Sequence, residues 1–135
     1  MCLNAKKDDI PVQGRIAGGV KGMNLKEGDE VLFASQIDGE GEIVVATSEG
    51  RFKRVIAAQI DPISRNCKGV KIASLSTEKV IFANYVTVPY QLALVFKNGK
   101  MKAISTEDVP IDATNTRGRT VKGVKESPKE VYSME

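Results

Sequence analysis

The sequence contains no histidine, no tryptophan and only two cysteines, Cys2 and Cys67, among its 135 residues. Two cysteines without a histidine do not make up the four ligands of a structural zinc site. The lack of histidine also removes the commonest general base, which counts against a hydrolytic enzyme. So few cysteines are typical of a protein from a reducing compartment, although the sequence alone leaves a single Cys2–Cys67 disulfide open.

Long apolar runs and helical periodicity are also lacking. No run approaches the ~20 residues that a transmembrane helix requires, and the N-terminus, "MCLNAKKDDIP", lacks the apolar region of a secretory signal. No window of useful length repeats its apolar residues every 3.6 positions, so we expect little helix. The length and the 41% hydrophobic content predict one domain with a modest core, and we expect it in the cytoplasm.

The charges are sorted into blocks, although the net charge is only +3. Residues 26–42 contain six acids and one base, whereas residues 51–71 contain six bases and one acid. The stretch "ATSEGRFKRV" (46–55) begins the basic block, with three cations directly after a predicted hairpin turn. A basic block on a folded surface attracts polyanions, but a charge run by itself is also typical of ordinary solvated surface.

A repeat of 49 or 50 residues runs through the whole chain. "EIVVATSEGRFKRV" aligns with "QLALVFKNGKMKAI", and "DEVLFA" aligns with "EKVIFA". A third element occurs three times, at residues 9–25, 59–75 and 108–124, and is named here the first, second and third glycine segment. The chain therefore holds about two and a half copies of one unit.

Each unit is predicted to be β. Short runs rich in Val, Ile and Phe, such as "EVLFAS", "EIVVAT", "KVIFANYVTV" and "LALVFK", are bounded by Gly, Asn, Asp and Pro. Asn98-Gly99 predicts a type I′ hairpin, and Gly50 holds the equivalent place in the preceding copy. Units of about 50 residues with four strands are typical of propeller-like blades. We therefore expect an all-β fold of four-stranded antiparallel blades.

Strand alternation predicts that the cations after each turn share a face. Arg51 and Lys53 point to one side of their strand and Phe52 to the other, and Lys100 and Lys102 repeat the pattern around Met101. Phe52 is expected to face the core, and Met101 is expected on the equivalent face of its strand. Because the register of the cations is kept between copies, a functional basic surface becomes as good an explanation as an accidental run.

The motifs "GVKGMNLKEGDEV", "EIVVATSEGRFKRV", "ISRNCKGVKI" and "ATNTRGRTVKGV" resemble repeats in the C-terminal domain of the A subunit of bacterial type IIA topoisomerases, DNA gyrase or topoisomerase IV. The resemblance covers nearly the whole chain. It implies a β-pinwheel, a propeller-like disc in which neighbouring blades exchange strands and whose basic rim bends and wraps duplex DNA. The matching DNA-binding candidates are Arg15, Lys21, Arg51, Lys53, Arg54, Arg65, Lys68, Lys71, Lys100, Lys102, Arg117, Arg119 and Lys122.

The resemblance implies a role in positioning the DNA segment that is passed, without cutting it. It implies no catalytic residue, metal or cofactor in this chain, since the cleavage and ATPase machinery lies in other parts of the ATP-dependent holoenzyme. The expected partners are double-stranded DNA, the B subunit and the remainder of the A subunit, in the bacterial cytoplasm with the nucleoid, and no membrane. Self-association through open blade ends is also expected.

Two departures limit the resemblance. A full pinwheel has five or six blades, so we expect residues 1–135 to form a partial domain of a longer subunit, with units at about 1–20, 21–70 and 71–120 and a remainder at 121–135. The glutamine-, arginine- and glycine-rich box of gyrase is absent, which favours topoisomerase IV or a part of gyrase without the box.

Two rival functions stay open on the sequence alone. One is a propeller-like module that binds an acidic protein partner, and a gel shift with duplex DNA distinguishes it. The other is a self-contained chromosomal protein that assembles a ring from several chains, and its mass in solution distinguishes it.

Overall fold

A computed structural model describes all 135 residues, and its regular structure is almost entirely β. The strands are β1 (Glu42–Thr47), β2 (Phe52–Ile56), β3 (Val80–Val86), β4 (Gln91–Val95), β5 (Met101–Ser105) and β6 (Glu130–Met134). The helical structure consists of three 3-10 turns of three residues each, at Lys7–Asp9, Ala57–Gln59 and Thr106–Asp108. None of these turns has the length to cross a membrane. The all-β class predicted from the sequence is confirmed.

The strands form two antiparallel sheets with the same topology. The first blade has the order β2-β1-β3 and the second the order β5-β4-β6. Their registers are equivalent, since Ala46 pairs with Phe52 in the first and Val95 with Met101 in the second. Equivalent strands of the two blades are therefore separated by one length of the sequence repeat.

The third glycine segment adds an irregular fourth strand to the first blade. Along the free edge of β2, Phe52 N donates to Arg119 O (2.7 Å) and Arg119 N donates to Phe52 O (2.9 Å). Further along, Arg54 N donates to Pro110 O and Asp112 N donates to Arg54 O, each at 2.9 Å. This fourth strand follows β5 of the second blade in the chain, but it pairs with β2 of the first blade. It is therefore named here the exchanged strand.

The second glycine segment makes three of these four contacts with the N-terminus. Cys2 N donates to Val70 O (2.8 Å) and Val70 N donates to Cys2 O (2.7 Å). Ile63 N donates to Asn4 O (2.8 Å), as Asp112 N does to Arg54 O in the next unit. Residues 2–4 therefore stand where β2 stands one repeat later.

The two hairpin turns differ from the predicted type I′. Gly50 and Gly99 have φ of +74° and +81°, whereas Asn98 is not among the residues with positive φ. In each turn the glycine N–H donates a hydrogen bond to the carbonyl oxygen of the residue three positions earlier, which is Thr47 or Phe96. This is the pattern of a type I turn followed by a glycine bulge, which needs one left-handed residue instead of two.

Two apolar clusters fill the interior. The larger lies between the blades and joins Val44 and Phe52 of the first to Leu92 and Leu94 of the second. The smaller covers the opposite face of the first blade and contains Val45 among its members. Since successive residues of β1 enter different clusters, the strand is apolar on both faces.

One strand prediction was wrong, and one pair of equivalent residues differs in burial. Residues 30–35, "EVLFAS", form no strand, because the chain contains no strand equivalent to β1 with which they could pair. Met101, predicted on the face of its strand equivalent to that of Phe52, is 67% exposed. It lies on the outer face of the second blade, where no further sheet packs, whereas the equivalent Phe52 is covered by the second blade.

Candidate nucleic-acid interface

Lys53, at the centre of "GRFKRV", is buried. The residue is 1% exposed, and its ammonium donates to Ala113 O (2.6 Å), Thr116 O (3.0 Å) and Thr116 Oγ1 (3.1 Å). Burial lowers the pKa of Lys53, and the charge of Asp112 opposes that shift. All three acceptors belong to the third glycine segment. The geometry therefore favours a structural role for Lys53 over the phosphate contact predicted for it.

The neighbours of Lys53 bond to the same part of the chain. Arg54 Nε donates to Val109 O (2.7 Å) and Arg54 Nη1 donates to Glu42 Oε1 (3.2 Å), with the arginine side chain 15% exposed. Arg51 Nη1 donates to Gly118 O (3.2 Å). The three cations that follow the first hairpin turn thus hold the exchanged strand against β2.

Arg117 is engaged in an ionic cluster between the two units. Its guanidinium contacts Glu78 Oε1 (2.5 Å) and Glu49 Oε2 (2.6 Å). The Glu78 side chain is fully buried, and the hydrogen bonds from Arg117 lower the pKa of Glu78 to about 2. This cluster joins the first hairpin and the segment before β3 to the third glycine segment. The geometry therefore favours a structural role for Arg117.

Other predicted cations are partly engaged. Arg65 bonds through its side chain to Asp9 O (3.1 Å) and Lys21 O (3.0 Å), which ties the first glycine segment to the second. Arg119 forms an ion pair with Asp112 at 3.2 Å, yet its side chain stays 68% exposed. Lys21 contacts Asn24 and Lys102 contacts Gly123 O, and both lysines are exposed.

Five predicted cations are exposed and have no side-chain hydrogen bond or ion pair. These are Arg15, Lys68, Lys71, Lys100 and Lys122. Four of them lie in glycine segments, of which the third pairs with the outer edge of β2 and the second pairs with residues 2–4. The charges of all five are presented to solvent.

One cation of this surface was not predicted from the sequence. Lys125 lines a shallow cleft with Lys100 and Lys102, beside the second hairpin. Lys125 directly follows the third glycine segment, at the position where the first copy has Lys26 and the second has Ser76. The recurrence of Lys26-Glu27 as Lys125-Glu126 was the sequence signal that could have identified it.

No group of cysteine, aspartate and glutamate side chains in the structure could hold a metal ion. Cys2 and Cys67 are free thiols, and burial raises the pKa of Cys2. The prominent chemical features are thus the cation-bearing edges and the exchanged strand.

The sequence and the fold both match known proteins. A model of the family described as DNA gyrase C-terminal domain, beta-propeller, matches residues 5–38 and 41–86, which is more than half of the chain. The chain belongs to this family. The A subunit of DNA gyrase from Klebsiella oxytoca is 34% identical over 116 residues, which cover 84% of this chain and 13% of that protein.

Solved members of the family share the fold of this chain. The C-terminal domain of DNA topoisomerase IV matches with a TM-score of 0.77 and 25% identity, over 94% of this chain and 41% of that one. A DNA gyrase A C-terminal domain matches with a TM-score of 0.70 and 26% identity, over 94% of this chain and 45% of that one. The resemblance inferred from the motifs is thereby confirmed. The chain spans 11 to 13% of the length of the curated gyrase subunits that it matches.

Proposed function

We propose that this chain is a DNA-binding part of a type IIA topoisomerase A subunit, and that it binds duplex DNA through the phosphates. The observation that carries the proposal is the set of unpaired cations on equivalent glycine segments of a gyrase-family fold. Phosphate neutralisation releases condensed counterions and gives affinity without reading bases. Spacing the cations along successive blades favours a bent DNA path, whose deformation cost the added contacts offset.

The proposed set of DNA-contacting residues is smaller than the set predicted from the sequence. Arg15, Lys68, Lys71, Lys100 and Lys122 remain as primary candidates, with Lys21, Lys102 and Arg119 beside them. Lys53, Arg54 and Arg117 act by holding the exchanged strand that carries Arg119 and Lys122. The domain positions DNA for strand passage, while cleavage and ATP hydrolysis belong to other parts of the enzyme, including the B subunit.

A charge-matched pair of variants tests the proposal. Lys71→Gln/Lys122→Gln removes two free charges from glycine segments, whereas Lys79→Gln/Lys129→Gln removes two exposed charges that immediately precede β3 and β6, at the opposite edges of the sheets. The first variant should weaken binding to random duplex DNA and reduce the slope of log affinity against log salt by roughly 0.9 for each phosphate that is no longer neutralised. The second should leave the slope unchanged.

Equal effects of both variants would show that binding follows net charge and not a defined edge. Tight binding of an acidic polypeptide in preference to duplex DNA would instead support an interaction module. Bending is measured separately, from the distance between fluorophores at the two ends of a short duplex, which should fall when the protein binds.

A further inference from the structure

Arg117 contacts two carboxylates and keeps part of its guanidinium free. Its Nε and Nη2 donate to Glu78 (2.5 and 3.2 Å), and its Nη2 also donates to Glu49 Oε2 (2.6 Å). Its Nη1 has no hydrogen-bond partner, and the arginine side chain is 39% exposed. One guanidinium therefore serves two acids and still presents donors to solvent.

Glu78 is the acid that is firmly held. Its side chain is completely buried, and its Oε2 also accepts from the backbone N–H (3.2 Å) and the hydroxyl (3.1 Å) of Ser76. An acid recurs at the equivalent position one repeat earlier, where Asp29 likewise accepts from a backbone N–H, that of Lys26 (3.2 Å). Because a buried carboxylate needs its counter-charge, Glu78 alone keeps Arg117 in its structural position.

Glu49 is held more loosely than Glu78. It lies at the tip of the first hairpin, its side chain is 45% exposed, and its other oxygen accepts only from the hydroxyl of the exposed Thr77 (3.1 Å). The turn does not require an acid there, because the second hairpin has Asn98 at the equivalent position and keeps the same glycine conformation. Exposed ion pairs add little stability, so another anion can replace Glu49 on Arg117 at small cost.

The surroundings of Arg117 favour a phosphate as that anion. A guanidinium binds the oxygens of a phosphate and of a carboxylate with the same planar set of donors. Arg119 is two residues further along the exchanged strand, and its side chain is 68% exposed although it pairs with Asp112. Two residues of extended chain span at most about 7 Å. A polyanion that contacts Arg119 therefore comes within reach of Arg117.

We propose that Glu49 masks Arg117 in the free protein, and that a backbone phosphate of duplex DNA replaces Glu49 on the guanidinium. Glu78 stays bonded to Arg117 throughout, so the exchanged strand keeps its place. Arg117 thus holds the fold and also contacts DNA, and Glu49 weakens the second of these roles. This inference rests on the proposed function, to which it adds one phosphate contact and the residue that limits its strength.

Glu49→Gln tests the mask, with Glu107→Gln as its control. Both changes remove one exposed acid, but the side chain of Glu107 has no hydrogen bond or ion pair. Glu49→Gln should bind random duplex DNA about two- to fivefold more tightly than the wild type, which corresponds to the loss of one exposed ion pair. Glu107→Gln should bind as the wild type does. Equal tightening in both variants would show that only net charge matters and would overturn the mask.

Removing Arg117 tests whether Glu49 acts through it. Arg117→Gln/Glu78→Gln keeps the net charge and avoids a buried acid without its partner. In this background, which thermal melts must show to be folded, Glu49→Gln should no longer change the affinity. The slope of log affinity against log salt should also be smaller by roughly 0.9 than in Glu49→Gln alone, because one phosphate contact is missing. An undiminished gain of affinity in this background would refute the proposal.

The wild type provides a measurement that does not depend on the folding of any variant. When a short duplex is added, the side-chain carboxyl ¹³C resonance of Glu49 should shift and that of Glu78 should stay in place. An unmoved Glu49 resonance in a protein that binds DNA would exclude the replacement and leave the proposed function intact. A wild type without salt-dependent DNA binding would overturn the proposed function and this inference together.

Discussion

Lys53 and Lys102 occupy equivalent positions in successive repeats, yet their environments are opposite. Lys53 is enclosed by oxygens of the third glycine segment, whereas Lys102 is exposed on β5, which pairs with β4 alone, and its ammonium bonds only to Gly123 O. The same residue type is therefore buried where a neighbouring strand covers it and exposed where none does.

We expect Lys53→Met to destabilise the chain and Lys102→Met to leave its stability nearly unchanged. Methionine keeps the apolar stem of Lys53 but leaves buried carbonyl groups without a donor, which should cost about 2 to 3 kcal/mol. Urea unfolding of the two variants measures the difference. If Lys53→Met were as stable as the wild type and lost DNA affinity, Lys53 would contact phosphate after all.

The lowered pKa of Glu78 predicts that the free energy of unfolding decreases at acidic pH. Its pKa is about 2 in the folded chain, below the usual 4.5, because Arg117 stabilises the carboxylate. A carboxyl group whose pKa is lowered by folding contributes stability above its unfolded pKa, and that contribution is lost as pH falls toward the folded value. The stability difference between the wild type and Glu78→Gln should thus be full at pH 7 and shrink steadily from about pH 5 to pH 2.

Glu49→Gln is the control for Glu78, since it removes the other, more exposed carboxylate that contacts Arg117. It should show a much smaller change with pH. A constant difference between the wild type and Glu78→Gln across this range would exclude the ion pair as its source.

At the scale of elements, the same sequence motif is ordered or irregular according to whether a partner strand is available. Val80–Val86 forms β3 because β1 lies beside it, whereas the matching "EVLFAS" stays irregular without such a neighbour. Strand propensity is realised only on a surface where the side chains and the backbone find partners.

Hydrogen exchange should report this contrast directly. At low protein concentration, the amides of the central strands β1 and β4 should exchange slowly, and those of residues 12–20 should exchange quickly, because few of the latter have a backbone acceptor. Protection of "EVLFAS" equal to that of β3 would contradict the structure.

At the scale of the whole molecule, the blades share one core and should unfold together. Leu94 is completely buried in the cluster that also contains Val44 and Phe52 of the other blade. Leu94→Ala should lower the free energy of unfolding by about 2 to 5 kcal/mol. Because the two blades are expected to unfold together, Leu94→Ala should also accelerate the hydrogen exchange of the β1 amides and of the β4 amides by the same factor.

Val95→Ala is the matched control for Leu94, because Val95 is only half-buried and faces the uncovered side of the second blade. Its cost should stay below about 1.5 kcal/mol. Acceleration of β4 alone in Leu94→Ala would show that each blade is an independent folding unit.

The sequence by itself determined the repeat, the β class and the family, because these depend on local patterns: alternating apolar residues, turn glycines and spacings that recur every 49 or 50 residues. It also located the cations that recur between copies. These features need no knowledge of which segments meet in space.

Only the tertiary structure decided which cations are free. Arg51, Lys53 and Arg54 look like rim charges in the sequence, but strand exchange brings the third glycine segment, 55 to 67 residues away, against them, and its carbonyl groups accept their hydrogen bonds. Arg117 of the same segment also looks like a rim charge, but it is bonded to Glu49 and Glu78. Met101 is exposed for the converse reason, since nothing packs where Phe52 is covered. Burial depends on neighbours distant in sequence, so a motif can predict a residue's place in its strand but not what lies opposite it.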